Sequence, residues 1–455
     1  MNNLIIKKYN NYIIKNIYVG MLFVIYGALT SYLFINWIIP TYSHMGFTLD
    51  YNLSNIFLSI LYVLFLTLMV NIHKNKIKII FIDILILQTI IPMLCLYCFT
   101  KEFSVYSNYV LMSVISVIII AILVLINIKS SNIFLNGKIK NRLLVVMFFA
   151  VIFTIIRYIM LNGLRYFNLD FTKIYSYRFQ LRETMSGYLL YLDNWAFKVF
   201  NPICIALSLY YKKKVLLIFF ITLQIILYGY SSHKSVLFSG MIVVLSYYMT
   251  FYLFKKSYSI IKAAIYFNCF VIFLSLFNVK GMFCALYYRV VFMPAQINYY
   301  YYDYFSNNGF DWFKQSFLRK FFKSNYELLL PRIIGFEYFG NEQINANTGF
   351  LGSGYAQGGL LIILIYSLVI AILIIIISHL AKKLSSRLVL SITLFPITSL
   401  FSSGDLPTSL LTGGVLLLIL LLYLLTLDKT MNIKPIFNIS YMNRKDIKNK
   451  IILHK

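Results

Sequence analysis

Apolar runs of about 20 residues recur along almost the whole of this 455-residue chain. A helix needs about 20 apolar residues to cross a membrane hydrocarbon core roughly 30 Å thick. Hydrophobic residues make up 60% of the chain and charged residues only 12%, a balance that would leave too much apolar surface in water. Because backbone groups in lipid must hydrogen-bond within their own segment, the spans are expected to be helices. The sequence therefore predicts an all-α polytopic membrane protein.

The apolar runs predict about twelve transmembrane helices, the tenth of them long enough to begin with an interfacial or broken segment. We place them near residues 17–39, 54–71, 78–98, 106–127, 143–161, 189–210, 215–230, 234–254, 260–278, 349–378, 386–402 and 409–427. The chain is thereby divided into a membrane bundle at 1–279, a large outer loop at 280–348, three further spans at 349–428 and a basic tail at 429–455.

The formal net charge of +27 does not indicate nucleic-acid binding, because the basic residues are spread between the apolar runs. Of the 41 lysines and arginines, 26 fall on the side that holds the N-terminus and the basic tail. The positive-inside rule therefore predicts that both termini are cytoplasmic. We expect a bacterial inner-membrane protein whose large loop lies in the periplasm.

Arginines and acidic residues are concentrated on the opposite, outer side. Eleven of the 14 acidic residues lie there, and so do seven of the ten arginines: Arg157, Arg165, Arg178, Arg182, Arg289, Arg319 and Arg332. A guanidinium group can hold a phosphate with two parallel hydrogen bonds, whereas lysine offers only a point charge. The outer side is therefore the predicted site for a phosphate-bearing substrate, with chance and surface solubility as the alternative.

Three basic residues, Arg157, Lys198 and Lys234, lie inside predicted spans or at their ends. A charge at such depth costs several kcal/mol unless it faces a polar cavity or a partner. We expect a cavity for Arg157 and Lys198, whereas Lys234 could simply extend its side chain towards water. Arg178 and Arg182 are four residues apart, so they would share one face of a helix.

The outer loop contains a basic and aromatic stretch at residues 311–323. Plotted on a helix, its phenylalanines and Leu318 fall on one half, and Gln315, Arg319, Lys320 and Lys323 fall on the other. This pattern predicts an amphipathic helix that lies on the membrane and contacts lipids.

Six short motifs follow one another between about residues 155 and 415. They are Tyr175-Ser-Tyr-Arg178; Asn194-Trp195 with Asn201-Pro202; His233-Lys234-Ser235; Arg289-Val-Val-Phe-Met-Pro294; Asn345-Ala-Asn347-Thr-Gly349-Phe-Leu-Gly352-Ser-Gly354-Tyr355-Ala-Gln-Gly358-Gly359; and Leu406-Pro-Thr-Ser-Leu-Leu-Thr-Gly-Gly414. In this order they resemble the family of O-antigen and oligosaccharide repeat-unit polymerases of the Wzy type. The Asn-Ala-Asn-Thr-Gly segment ahead of a span is the most specific of them.

The resemblance implies a glycosyltransferase with a GT-C-like membrane fold that acts at the periplasmic face on undecaprenyl-diphosphate-linked oligosaccharides. A separate chain-length regulator is a candidate partner. We expect no metal and no cofactor, because the acidic residues form no DxD pair and His and Cys are not spaced for zinc. Preorganised cations would stabilise the departing diphosphate, a role we assign to Arg178 and Arg289. Substrate contacts are assigned to Arg157, Arg182 and Lys234.

The attacking sugar hydroxyl needs a proton acceptor, and Glu337, Asp303 and His233 are all candidates. Asn345 and Asn347 could bind sugar hydroxyls or cap the helix that follows. Tyr355 is a further candidate for substrate binding. The glycines at 349, 352 and 354 are expected to permit a bent helix rather than to contact ligand.

Two other functions stay open at this point. An O-antigen ligase would use the same donor on the same side, but the large loop of that family carries a functional histidine, and residues 280–348 contain none. A lipid-linked oligosaccharide flippase, which is not an enzyme, would line a central passage with cations from both sides. The outward concentration of arginine disfavours it.

Overall fold

The structure, a computed structural model, describes residues 2–71, 73, 75–128, 139–162, 167–170, 189–255, 258–275, 280–316, 318 and 321–428. Its regular structure within these ranges is helical, with an isolated antiparallel bridge between Leu49 and Thr100. In the described part, eight helices are long and apolar enough to cross a membrane. Three shorter apolar helices accompany them, at Ser107–Leu123, Ser259–Leu274 and Ser386–Ser402. The prediction of an all-helical polytopic membrane protein is therefore confirmed at this level.

We number the helices in chain order and treat a helix interrupted by a π turn as one. They are α1 (Asn2–Leu33, continued by Phe34–Ile38 and Ile39–Tyr42), α2 (Leu53–Asn71), α3 (Lys76–Leu85, continued by Ile86–Ile90 and Ile91–Phe99), α4 (Ser107–Leu123), α5 (Ile139–Asn162), α6 (Leu189–Trp195, continued by Ala196–Phe200 and Asn201–Tyr210), α7 (Lys214–Ser231), α8 (Lys234–Lys255), α9 (Ser259–Ser275), α10 (Lys280–Tyr287, continued by Tyr288–Phe292 and Met293–Asn308), α11 (Leu330–Phe339), α12 (Phe350–Lys383), α13 (Ser386–Ser402), α14 (Leu406–Leu410) and α15 (Val415–Leu427).

The π turns in α1, α3, α6 and α10 each end two residues before a proline: Pro40, Pro92, Pro202 and Pro294. Proline has no N–H, and its ring clashes with the carbonyl group four residues earlier. A π turn relieves this clash by shifting the hydrogen bonds to a five-residue spacing. Side chains then bond carbonyl groups inside the turns, as Gln224 does to the Phe197 oxygen at 3.1 Å.

Hydrogen bonds gather the helix ends into two groups. At one end, Lys78 donates to the carbonyl oxygens of Val124 and Ile126 at 2.6 and 2.8 Å, and the Lys140 N–H donates to Asp428 at 2.9 Å. We call this the Lys78 end. At the other, which we call the Asp405 end, the backbone N–H of Thr48 donates to Glu102 at 3.3 Å. Lys78 and Asp428 therefore lie at the first end, and Glu102 lies at the second.

The prediction of an amphipathic helix over residues 311–323 is wrong where the structure describes the segment. Residues 312–316 form turns, and Trp312 and Phe313 have φ values of 53° and 63°, in the left-handed region that interrupts an α-helix. The N–H groups of Asp311 and Trp312 donate to the carbonyl oxygens of Ala356 and Gln357 at 2.9 and 3.0 Å. Tertiary hydrogen bonds therefore override the helical pattern. The helices of the large loop are α10 and α11 instead.

The carbonyl groups that this segment bonds lie at a break in α12. Gly358 and Gly359 have non-helical backbone angles, and φ of Gly359 is 63°. A Cβ on Gly359 would approach the Phe310 ring to 3.0 Å. The broken start expected for the tenth run is confirmed, but the break falls after Tyr355 rather than at Gly349–Gly354.

Candidate active site at the Asp405 end

Asp405 immediately precedes α14, and its carboxylate accepts hydrogen bonds from two hydroxyl groups. The Thr408 hydroxyl donates to it at 3.1 Å and the Tyr366 hydroxyl at 3.5 Å, while the nearby Ser353 hydroxyl donates to the Gly349 carbonyl oxygen at 2.9 Å. Burial raises the pKa of Asp405, and the hydrogen bonding from Thr408 opposes that rise without cancelling it. A carboxylate with a raised pKa is a better proton acceptor than an ordinary one. We call these four residues, Ser353, Tyr366, Asp405 and Thr408, the Asp405 cluster.

The segment Asn345–Gly349 lies next to this cluster. A Cβ on Gly349 would come within 2.2 Å of the Phe401 carbonyl oxygen, so only glycine allows α12 to begin this close to the end of α13. Asn345 and Asn347 are exposed. Neither caps α12, because Asn298 on α10 accepts the Gly352 N–H at 3.0 Å in that role. The two asparagine side chains are thus exposed in the segment that leads into α12.

Asp303 has a structural task that the sequence did not indicate. Its two oxygens accept hydrogen bonds from Tyr106 at 2.8 Å and Tyr338 at 2.5 Å, which fasten α10 to the start of α4 and to α11. Burial, and next the hydrogen bond to Asp303, raise the pKa of both phenols, so they stay protonated as donors. Tyr355 is buried and packs against Tyr302, with ring centroids 4.8 Å apart.

Arg157 forms a buried ion pair with Asp193. Their exposed fractions are 9% and 2%, and Asp193 Oδ1 makes no hydrogen bond among the described residues. The sequence analysis expected a polar cavity at this depth. The structure instead supplies a charged partner on α6, the other arrangement that a buried charge can have.

The other predicted basic residues within the described ranges lie in π turns or at a helix junction. Lys198 and Arg289 each lie inside a π turn, the first half-buried and the second exposed. His233 and Lys234 are half-buried at the junction of α7 and α8. Lys198 and Arg289 are notable because π turns often occur at functional sites.

Other predicted residues stand apart from the cluster or beyond what the structure describes. Glu337 is exposed on α11. Arg178 and Arg182 fall in residues 171–188, outside the described ranges, so their predicted roles stay predictions.

Sequence reasoning missed the special position of Asp405 and Asp193. Both were counted among the outer acids without being singled out. Asp405 directly precedes the Leu406–Gly414 motif, and Asp193 precedes Asn194-Trp195, so each adjoins a motif that had already been recognised. That adjacency was the available signal.

The described residues contain no group of three or more His, Cys, Asp or Glu that could hold a metal ion. Comparison with protein-family models, with curated proteins and with solved structures finds no match to the chain. The fold and the site together define a class: a helical, membrane-embedded protein with a polar and acidic cluster at one end of its bundle.

Proposed function

We propose that this protein is an O-antigen polymerase. It joins undecaprenyl-diphosphate-linked oligosaccharide repeat units at the periplasmic face of the bacterial inner membrane. In this proposal the chain crosses the membrane twelve times in a GT-C-like arrangement, both termini are cytoplasmic, and the Asp405 end is periplasmic.

The observation that carries the proposal is the meeting of separate motifs around Asp405. Gly349 packs on the end of α13, Tyr366 of α12 donates to Asp405 at 3.5 Å, and Asp405 leads into Leu406–Gly414. From the other side, Trp195 donates to the Leu411 carbonyl oxygen at 3.0 Å. Segments far apart in sequence, which taken in order resemble the polymerase family, therefore meet at residues 401–411, the stretch that contains Asp405.

The proposed reaction forms a bond between the acceptor sugar oxygen and the anomeric carbon of the growing chain. The bond from that carbon to the diphosphate breaks, and its electron pair leaves with undecaprenyl diphosphate. Asp405 accepts the hydroxyl proton, for which its raised pKa suits it. Asn345 and Asn347 hydrogen-bond sugar hydroxyls.

Arg178 and Arg289 stabilise the charge on the leaving diphosphate. Because Arg157 is already paired with Asp193, we give it a supporting position rather than a direct contact. Asp303 holds α10 in place through its two tyrosine donors.

The test is the lipopolysaccharide ladder of a strain deleted for this gene and complemented with the wild type or with Asp405→Asn, Arg289→Ala or Arg178→Ala. Glu342→Gln, at an exposed acid of the same outer region, is the matched control. We expect deletion and each site variant to leave core plus a single repeat unit. The control should restore the ladder.

Two outcomes would replace the proposal. Bare core with long polymer retained on undecaprenyl diphosphate would identify a ligase. Bare core with unpolymerised lipid-linked repeats on the cytoplasmic side would identify a flippase.

A further inference from the structure

The segment between α10 and α11 is held in a fixed shape by two buried or half-buried side chains. Asp311, 1% exposed, accepts hydrogen bonds from the Ser324 hydroxyl at 2.6 Å and the Gln315 N–H at 3.0 Å. The Gln315 amide donates to the Leu328 carbonyl oxygen at 2.7 Å and accepts the Leu330 N–H at 3.0 Å. These hydrogen bonds join residues 311–315 to residues 324–330, and a gap lies between the two parts of the segment.

The gap is a cleft of about 360 Å³. Its walls combine two lysines with aromatic and aliphatic side chains, and one acid is among them: Lys314, Lys323, Phe321, Phe322, Leu329 and Glu327. Phe321 is 78% exposed, and Phe322 and Leu329 are more than half exposed. Lysines beside exposed rings are the composition of a surface that enters a bilayer interface.

The segment that forms this cleft also packs against the break in α12, a helix long and apolar enough to cross a membrane. Phe310 and Trp312 pack against Gly359 and Gly358 at the break of α12. Beyond the break, Leu361 is exposed on the apolar helix that continues to Lys383. Trp312 is itself about half exposed, and tryptophan is enriched at membrane–water interfaces. The cleft is therefore held next to the surface of the membrane.

We infer that this cleft binds the headgroup of an anionic phospholipid of the outer leaflet. Lys314 and Lys323 hold the phosphate, while Phe321, Phe322 and Leu329 insert among the acyl chains. The two lysines outnumber the single acid of the cleft, Glu327, so the charge complements an anionic headgroup. The inference does not depend on the proposed transfer reaction.

The test uses the full-length protein in nanodiscs. Cys269 is the exposed cysteine and the other four are buried, so Cys269→Ser leaves a background for nitroxide labelling at Phe321→Cys, Phe322→Cys or Leu329→Cys. Asn307→Cys, an exposed position at the end of α10, is the aqueous control. Collision with oxygen reports lipid, and collision with a nickel complex reports water.

We expect labels at 321, 322 and 329 to collide mainly with oxygen, and the label at 307 mainly with the nickel complex. Adding phosphatidylglycerol to phosphatidylcholine discs should increase the lipid exposure of the first three. Each of Lys314→Gln and Lys323→Gln should raise the phosphatidylglycerol fraction needed for half of that effect about fivefold. Lys101→Gln, at an exposed lysine of the same end, should leave it unchanged.

Labels at 321, 322 and 329 that prefer the nickel complex in both lipids would overturn the inference. Equal behaviour with and without phosphatidylglycerol would overturn the assignment to an anionic headgroup.

Discussion

Arg157→Met should destabilise the protein severely, because it leaves the Asp193 carboxylate buried without its partner. Asp193 is 2% exposed, and one of its oxygens makes no hydrogen bond among the described residues, so little is available to replace the guanidinium. Breaking a buried pair on one side costs about 3–5 kcal/mol, which corresponds to roughly 10²–10³·⁵ in the folding equilibrium. Asp193→Leu should also destabilise the protein, because it removes the carboxylate that pairs with the buried Arg157 guanidinium.

The double variant Arg157→Met/Asp193→Leu separates pairing from packing. Replacing a whole buried pair by apolar residues of similar volume is often neutral or stabilising, so the double variant should recover most of the loss. Unfolding titrations in mixed detergent micelles measure the free energy of unfolding of all four proteins. Additive losses in the double variant would refute the reasoning, since they would mean that the two charges act independently. If the double variant is stable but fails to extend the ladder, the Arg157–Asp193 pair also has a role in turnover.

Four further predictions concern single residues. Asp405→Asn should lower the rate of polymerisation in membrane vesicles by about 10²–10⁴-fold, with the folded yield unchanged. The pKa of Asp405 is raised above its ordinary value of 3.8. Protonated Asp405 therefore stabilises the fold fully below pH 3.8, and this contribution is lost as the pH rises through the raised pKa. The melting temperature of Asp405→Asn should lack this pH dependence, and a pH profile identical to that of the wild type would contradict the raised pKa. Asn298→Ala removes the side chain that caps α12, so it should lower the free energy of unfolding by about 1–2 kcal/mol, whereas exposed Asn307→Ala should have little effect. Gly359→Ala places a Cβ 3.0 Å from the Phe310 ring at a backbone φ of 63°, and it should lower the free energy of unfolding by about 1 kcal/mol or more. Its melting temperature should be lower than that of the control Gly281→Ala, where an added Cβ meets nothing within 4 Å.

The helical membrane architecture was predictable because it follows from a bulk property. Apolar runs of sufficient length leave helices as the stable choice in lipid, whatever their neighbours are. The break in α12 was likewise indicated by the length of the run and its glycines. Its position at Gly358–Gly359 was not, because it depends on Phe310 and Trp312, which come from a different segment.

The loop at 311–316 could not be predicted from its own pattern. Helical periodicity describes a segment in isolation. Here the Trp312 N–H donates to the Gln357 carbonyl group, and the Asp311 carboxylate accepts a hydrogen bond from the Ser324 hydroxyl. Such partners lie 13 to 45 residues away and leave no local trace. Helical periodicity is therefore a weak predictor where a segment hydrogen-bonds to a distant part of the chain.

The candidate site divides in the same way. The sequence identified the acidic and arginine-rich side and several of its motifs, because these are visible as residue types. It could not rank Asp303 against Asp405, since the difference lies in two tyrosine hydroxyls supplied by other elements. Ranking carboxylates requires knowing which hydrogen bonds are already made.

The π turns bear on how relatives of this chain could be found. A π turn holds one residue more than the α-helical turn it replaces, so a helix gains it by a single-residue insertion and loses it by a deletion. Lys198 and Arg289 sit inside such turns, and because the turn takes up the extra residue, the side chains that follow are spared the rotation of about 100° that one residue would otherwise cause. Homologues that kept the same faces would differ by gaps within membrane helices, where gaps are usually penalised most heavily. Searches that allow single-residue gaps just before Pro40, Pro92, Pro202 and Pro294 should therefore align such relatives better than searches that confine gaps to loops.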